Sequence, residues 1–447
     1  MLGFDRAVID LRLRQLLKDA PGRPSLRTQV SFLLSGLRRL MFYLTTPNEA
    51  LPDVRGPYAV LFYARWFNLP PACAPPHYDW VTWTRASGQI AADVELWAQN
   101  GEAVPADHAT YRQTRLALPA FATSGAYRRF QAALVLLTMS MLARWLVGDW
   151  RSALLLRDVI EAEHARRAEH LASAYFFLPQ LMADRPLWTF VAEQRGSRVC
   201  LVMYSHNFQV VFPSDRPNAI VCGPAYARTR WPQAIVITPG CKTVLTAAGA
   251  TIDRYTVAGD VSTVDAGVRI ELPRKPLVAV IDIDPASPYP DAYQSRDVVL
   301  SFLDRVSAII VAEGAVPVWK PKGALLPEHC VAPSDLRPDA DDCLAIARRY
   351  GAIICPAGSP IQWLADNVRA GIVMPFTTPA TTFRLHGRDA VYFDVTGKLN
   401  PGHIAARGIE VMSDNDKLAV WLRAALASSE DMKKANSVGH IDDPMSV

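Results

Sequence analysis

Residues 277–323 read LVAVIDIDPASPYPDAYQSRDVVLSFLDRVSAIIVAEGAVPVWKPKG. The opening LVAVIDID (277–284) is a short, Val/Ile-rich apolar run closed by acids, which predicts a buried strand. SRDVVLSFLDRVSAIIVAEG (295–314) places apolar residues three and four apart and stops on glycine, which predicts a helix. AVPVWKPKG (315–323) is a second strand that ends in a basic turn. Strand, helix and strand in this order predict a crossover unit of a parallel sheet. In such sheets ligands sit beyond the carboxyl ends of the strands.

The texture extends both ways. Downstream, DADDCLAIARRYG (339–351) is a helix with acids in its first turn and arginines in its last, as the helix dipole favours. AIICPAGSP, a helical IQWLADNVRA, GIVMPFTTPATTF and DAVYFDVTGKL follow. Upstream, RVCLVMYS (198–205), NAIVCG (218–223), AIVITPG (234–240) and YTVAGD (255–260) read as strands, with a helix at CKTVLTAAGA (241–250). The break PRKP (273–276) separates the two α/β regions. Nearer the start, YAVLFYARWF (58–67) and DWVTWT (79–84) predict strands, and residues 85–190 read as mainly helical. Within them RSALLLRDVIEAEHARRAEHLASAYFFL (151–178) reads as one long helix with His164 and His170 on a solvated face. FQAALVLLTMSMLA (130–143) is too short to span a bilayer and predicts a buried core helix, with a membrane-surface role as the alternative. Four parts result: a basic amphipathic helical segment over 1–50, an α/β domain with a helical insertion over 51–272, a second α/β domain over 273–428, and a polar tail over 429–447.

Composition excludes several classes. The chain has 447 residues, 50% hydrophobic and 20% charged, with a net charge of +4. That balance argues against disorder and against a nucleic-acid partner held by many phosphate contacts. Seven scattered cysteines without a C-x-x-C predict a reducing, cytoplasmic setting and no zinc ribbon. The first twenty residues mix Asp and Arg among apolar positions and lack the apolar core of a signal peptide. The basic helices of 1–50 either pack on the domain or make peripheral contact with the inner face of an anionic membrane. There is no Walker A motif, no G-x-G-x-x-G after a strand and no G-x-S-x-G elbow, so P-loop, nicotinamide and serine-hydrolase chemistry are unsupported.

Candidate residues cluster at predicted strand ends. Only nine lysines stand against 38 arginines, so Lys320 and Lys322 around Pro321 are conspicuous, and suit a phosphate or carboxylate. Strand GIVM runs into Pro375-Phe376-Thr377-Thr378 and then a helix with Pro379 in its first turn. Thr377, Thr378 and the start of that helix make an anion site, and Ser359 in the loop before IQWLADN repeats the design. Asp282 and Asp284, two apart, face one side of their strand end and are candidates for a general base or a turn-capping pair. Ser205, His206 and Asn207 follow RVCLVM, where polar side chains suit a polyhydroxylated ligand and His206 could serve as a base.

Taken in order, YSHNFQ, RTRWPQAIVITPG, YTVAGD, VAVIDID, VPVWKPK and GIVMPFTTPATTFRLHGRDAVYFDVTG resemble a family of bacterial surface-polysaccharide biosynthesis glycosyltransferases of GT-B type, akin to the transferases of CMP-sialic acid and Kdo. The resemblance spans about residues 200–400. It implies a GT-B-like α/β fold of two Rossmann-type domains facing a cleft, with helical N-terminal additions. The nucleotide would bind the second domain through Lys320, Lys322, Thr377, Thr378 and Ser359, and the acceptor the first, with Ser205 and Asn207 on its wall. Donor would be a nucleotide sugar, CMP-sugar favoured, and acceptor a glycan or glycolipid of capsule or O-antigen type. No cofactor and no metal are expected. Catalytic candidates are Asp282, Asp284 and His206. A two-domain sugar-nucleotide epimerase using His206, His329 and His386, and a non-catalytic scaffold subunit, are the competing readings.

Overall fold

The computed structural model describes residues 4–17, 22–54, 56–62, 88–91, 93–99, 112–114, 118–178, 183–203, 224–259, 273–283, 285, 295–329, 336–356 and 359–438. Those up to Ala258 form one compact unit and those from Gly259 onward another. The predicted boundary at 272/273 adjoins residues 260–272, which lie outside the described ones.

The first unit is built on seven strands: β1 (Tyr58–Phe62), β2 (Glu95–Gln99), β3 (Arg112–Thr114), β4 (Ala174–Phe177), β5 (Arg198–Met203), β6 (Arg230–Val236) and β7 (Thr251–Val257). All pair in parallel, in the order β3-β2-β1-β4-β5-β6-β7. Its helices are α1 (Arg6–Leu17), α2 (Leu26–Thr45), α3 (Ser124–Leu146), α4 (Trp150–Arg167), α5 (Leu187–Gln194), α6 (Pro224–Ala227) and α7 (Pro239–Ala247).

The second unit has six parallel strands, β8 (Leu277–Ile281), β9 (Val316–Lys320), β10 (Ile353–Ile354), β11 (Ala370–Val373), β12 (Asp389–Phe393) and β13 (Val411–Met412), in the order β10-β9-β8-β11-β12-β13. Its helices are α8 (Arg296–Ala312), α9 (Ala340–Tyr350), α10 (Ile361–Asn367), α11 (Pro379–Leu385) and α12 (Asn415–Val438). α12 runs across the predicted start of the polar tail at 429.

In each sheet the chain builds from a central strand to one edge, then returns and builds to the other. This is the doubly wound Rossmann order. Two Rossmann-type units with added N-terminal helices are the GT-B-like make-up that the sequence predicts. β8 and β11 are buried on both faces, which is why they read as LVAVI and AGIV with no polar residue. Their pairing of Val373 with Ile281 brings their carboxyl ends level. α8 turns Val299, Phe302, Leu303, Val306 and Ile310 inward, and Gly314 (φ 77°) takes the left-handed turn that returns the chain to β9. Gly371 in β11 lets α11 lie close, since a Cβ there would stand 3.0 Å from the Phe383 ring.

Four expectations for the first unit need correction. The helical stretch 85–190 contains β2, β3 and β4, and the long helix of 151–178 ends at Arg167. Residues 174–177 are instead a wholly buried strand. His164 is not on a solvated face: it is buried, its Nε2–H donating to the Pro119 carbonyl at 2.8 Å and its Nδ1 accepting from the Tyr43 hydroxyl at 2.8 Å. The Pro119 carbonyl can only accept, which fixes that tautomer. The stretch 130–143 is not a buried core helix. α3 buries Tyr127, Phe130, Leu134, Thr138 and Met141 on one face and exposes Leu136, Met139 and Leu146 on the other.

The N-terminal helices belong to this core. Ile9, Leu13, Leu33, Leu40 and Tyr43 are buried in it, and Gly36 admits Leu156 so closely that a Cβ would stand 2.6 Å from Leu156 Cγ. Arg12 is buried between Asp158, at 2.9 Å, and Asp184.

Candidate functional site

The order of the second sheet reverses between β8 and β11. Open α/β sheets bind ligands outside the carboxyl ends of the strands at such a switch point. Asp282 follows β8 and the Pro375-Phe376-Thr377-Thr378 turn follows β11, so the topology brings two sequence candidates to that point. Lys320 closes the neighbouring β9, and Ser359 lies in the loop after β10.

The turn is strained. Phe376 (φ 65°) and Arg407 (φ 54°) are the non-glycine residues with left-handed backbone among those described. For a side chain of that size the conformation costs about 1–2 kcal/mol. Both residues are tied to Thr377. Its carbonyl accepts from Tyr392 Oη at 2.6 Å and from Arg407 Nη2 at 2.9 Å, and Arg407 Nη2 also donates to Tyr392 Oη at 2.9 Å. The Phe376 ring is buried edge-on to Tyr392 (5.9 Å between centroids) and stacked on His403 (5.2 Å). A buried hydrogen-bond knot therefore holds the turn in one shape against its intrinsic preference.

The hydroxyls divide into two kinds. Thr377 Oγ1 donates to the Met374 carbonyl at 3.0 Å, so its one proton is engaged. Thr378 stands at the cap position of α11 in helical conformation and makes no side-chain cap bond. α10 and α11 are only seven residues long, so side chains matter more here than helix-end fields. Ser359 Oγ and Thr381 Oγ1, by contrast, are buried and have no hydrogen-bond partner among the described residues. Buried polar atoms are rarely left so, and a ligand is one reason for the exception. Thr381, in the first turn of α11, was not singled out by sequence; a third hydroxyl four residues after Thr377 was the available signal.

The lysine turn is held from beneath. Asp282 is buried; its Oδ1 accepts from the Lys322 amide at 2.7 Å and its Oδ2 pairs with Arg337 Nη1. Arg337 also forks onto Asp339, Nε to Oδ1 at 2.9 Å and Nη2 to Oδ2 at 2.7 Å. Burial pushes the Asp282 carboxyl up, opposed by the Arg337 guanidinium and the Lys322 amide. Burial also acts on Asp339, but the Arg337 fork outweighs it and holds that carboxyl below its ordinary value. Asp282 thus locks the end of β8 to the turn after β9 and to the start of α9. The Lys320 ammonium above this lock is half-buried; burial, then the charge of Lys322, push its pKa down to about 8. Sequence spacing could not show Arg337, which reaches Asp282 across 55 positions.

Of the remaining candidates, Asp284, Ser205, His206 and Asn207 lie outside the described residues. His329 lies in the loop after β9, and His386 follows α11 and pairs with Asp366 at 3.3 Å. Helices of such a unit run opposite to the strands, so the end of α11 is at the far edge from the switch point. Among the described residues no three His, Cys, Asp or Glu side chains gather as a metal site.

No curated protein matches the chain. Similar solved structures include the α,α-trehalose 6-phosphate synthase of Burkholderia multivorans, at 11% identity, 83% of this chain, 91% of that one and a TM-score of 0.41. The E. coli protein solved with UDP-2-fluoro glucose shares 12% identity over 83% of this chain and 91% of its own, with a TM-score of 0.39. A TarM complex from S. aureus shares 8% over 57% and 48%, with a TM-score of 0.32. These values are too low to transfer fold detail or function. The family model described as polysaccharide biosynthesis PFTS motif protein matches residues 139–422, more than half of the chain. The matched range includes Pro375-Phe376-Thr377-Thr378, which agrees with those four letters at the first three and has threonine at the fourth. The chain belongs to the family of polysaccharide biosynthesis PFTS motif proteins.

Proposed function

We propose that the chain is a glycosyltransferase of polysaccharide biosynthesis that takes a sugar from a nucleotide donor, CMP-sugar favoured, and passes it to a glycan or glycolipid of capsule or O-antigen type. The observation that carries the reading is the strained Pro375–Thr378 turn at the switch point of the second sheet, at the carboxyl edge where half-buried Lys320 closes β9 on the other side of β8. Strain held by a buried knot at a sheet's ligand edge is a mark of a built site.

In this reading the nucleotide phosphate lies against Lys320, Lys322 and Thr378, with Ser359 and Thr381 supplying hydroxyl partners. Thr377 serves through its carbonyl as the anchor of the turn. The acceptor is held by Ser205 and Asn207, as the sequence resemblance implies. The reaction is displacement at the anomeric carbon: the acceptor oxygen forms a bond, the sugar–phosphate bond breaks, and the leaving phosphate gains the Lys320 charge and the hydroxyl bonds. Both carboxylate oxygens of Asp282 are engaged. We therefore assign Asp282 to positioning the lysine turn and leave the acceptor proton to Asp284 or His206. The work is placed in the cytoplasm, where nucleotide sugars are made.

The test offers CMP-, UDP- and GDP-sugars with and without a glycan acceptor. Release of CMP, faster with acceptor, is the expected result. A sugar isomerised without acceptor would instead make the enzyme an epimerase. No turnover and no nucleotide binding would make the chain a scaffold subunit.

A further inference from the structure

α2 and α3 form an antiparallel pair on the first unit. The Tyr127 hydroxyl, early in α3, donates to the Tyr43 carbonyl late in α2 at 2.6 Å. Trp145 Nε1, late in α3, donates to Gln29 Oε1 early in α2 at 3.1 Å. The inner faces of both helices are buried. Their outer faces are unusually apolar. On α3, Leu136 is 72% exposed, Met139 61% and Leu146 77%; on α2, Leu34 is 48% exposed and Met41 53%. By the antiparallel register Leu34 lies at the level of Met139.

The charge on this pair has one sign. Residues 26–45 and 124–146 contain no Asp or Glu and six arginines. Arg39 turns inward to Glu161 at 2.8 Å, and Arg144 pairs with Asp149 at 3.2 Å. Arg27, Arg38, Arg128 and Arg129 are exposed, and no carboxylate among the described residues pairs with them. Along α2 one exposed stripe runs Arg27, Ser31, Leu34, Arg38 and Met41, so guanidinium and apolar side chains share it. Among the described residues no helix is long and apolar enough to cross a membrane. An apolar ridge whose own charges are all cationic, with Glu49 at the start of α3 and the Arg144-paired Asp149 just past its end as neighbouring acids, is the surface that lies in the headgroup layer of an anionic bilayer, with its apolar side chains in the acyl boundary and its arginines on phosphates.

We propose that the α2–α3 face docks the protein on an anionic lipid bilayer, with Leu136, Met139 and Leu146 inserted and Arg27, Arg38, Arg128 and Arg129 on lipid phosphate. α1 is not part of this surface, because its apolar residues and Arg12 are spent in the core. The proposal is independent of the glycosyltransferase reading, since docking needs neither donor nor acceptor.

The experiment is co-sedimentation of the full chain with phosphatidylcholine vesicles, with and without about 30% phosphatidylglycerol. Three proteins are compared: wild type, Leu136→Gln/Met139→Gln/Leu146→Gln, and Arg27→Gln/Arg38→Gln/Arg128→Gln/Arg129→Gln. All substituted side chains are exposed, and an unchanged melting temperature checks that each variant is folded. Wild type is expected in the pellet with the anionic vesicles, and each variant to bind about tenfold more weakly or worse. Wild type left in the supernatant would overturn the proposal. So would a glutamine triple variant that binds like wild type, because attraction would then not involve the apolar ridge. A dimer that forms without lipid and is lost in the triple variant, with no vesicle binding, would make the face a contact between copies and would also overturn it.

Discussion

Removing the Arg337 guanidinium should expose how the lysine turn is held. The side chains of Asp282, Arg337 and Asp339 are 2%, 4% and 1% exposed, so solvent screens little between them. Arg337→Leu keeps apolar bulk but leaves two buried carboxylates without their cation. Breaking a buried pair in this way costs about 3–5 kcal/mol. The cost should depend on pH. Without the guanidinium Asp339 rises above its unfolded value and Asp282, already held up by burial, rises further, so the folded state takes up protons more readily than the unfolded chain. The deficit is then largest near pH 8 and shrinks as pH falls toward 5, by up to about 1.4 kcal/mol per unit for each group. Urea unfolding followed by far-UV circular dichroism at both ends of that range reads the difference. Asp282→Asn and Asp339→Asn added to Arg337→Leu should restore most of the loss. A deficit under about 1 kcal/mol at pH 8, or one that does not change with pH, would refute the coupling of these three residues.

Three further outcomes follow from particular contacts. Lys320 loses its charge as pH rises through about 8, so nucleotide affinity should fall by up to about tenfold per pH unit above that point, and Lys320→Ala should abolish that alkaline slope in calorimetric titrations. Gly371→Ala places a Cβ 3.0 Å from the Phe383 ring and should cost about 1–3 kcal/mol, read as a lowered urea midpoint, with α11 and nucleotide affinity disturbed together. His164 is buried neutral, burial pushing its pKa down to about 4, so stability is complete above its unfolded value and lost as pH falls toward 4; about 2 kcal/mol should be gone near pH 5, and His164→Asn should lack that slope.

The second unit was legible in its sequence because each element there has one clear period. β8, α8 and β9 follow from a short apolar run, a three-and-four spacing and a second run, and the candidate turns sit where β9 and β11 end. In the first unit the signals merge. α4 passes into Ala174–Phe177 through six residues, and the short apolar run AYFF has no period of its own to separate strand from helix. α3 is apolar on nearly every face, which hides that only one face is covered. The site was half legible for a related reason. Loop residues such as Ser359 announce themselves by local chemistry. Arg337 and Arg407 do not, because topology alone sets Arg337 on Asp282 and Arg407 on the Thr377 carbonyl, 30 positions away.

The central claim is that the carboxyl edge of the second sheet holds a nucleotide. Ser359 Oγ and Thr381 Oγ1 test it directly, because both are buried without a partner among the described residues. Replacing such groups by apolar ones is neutral or stabilising for the fold alone. Ser359→Ala/Thr381→Val should therefore keep or raise the melting temperature while weakening CMP binding, measured by calorimetry, by about tenfold or more. Affinity equal to that of wild type in a variant of equal stability would contradict the account.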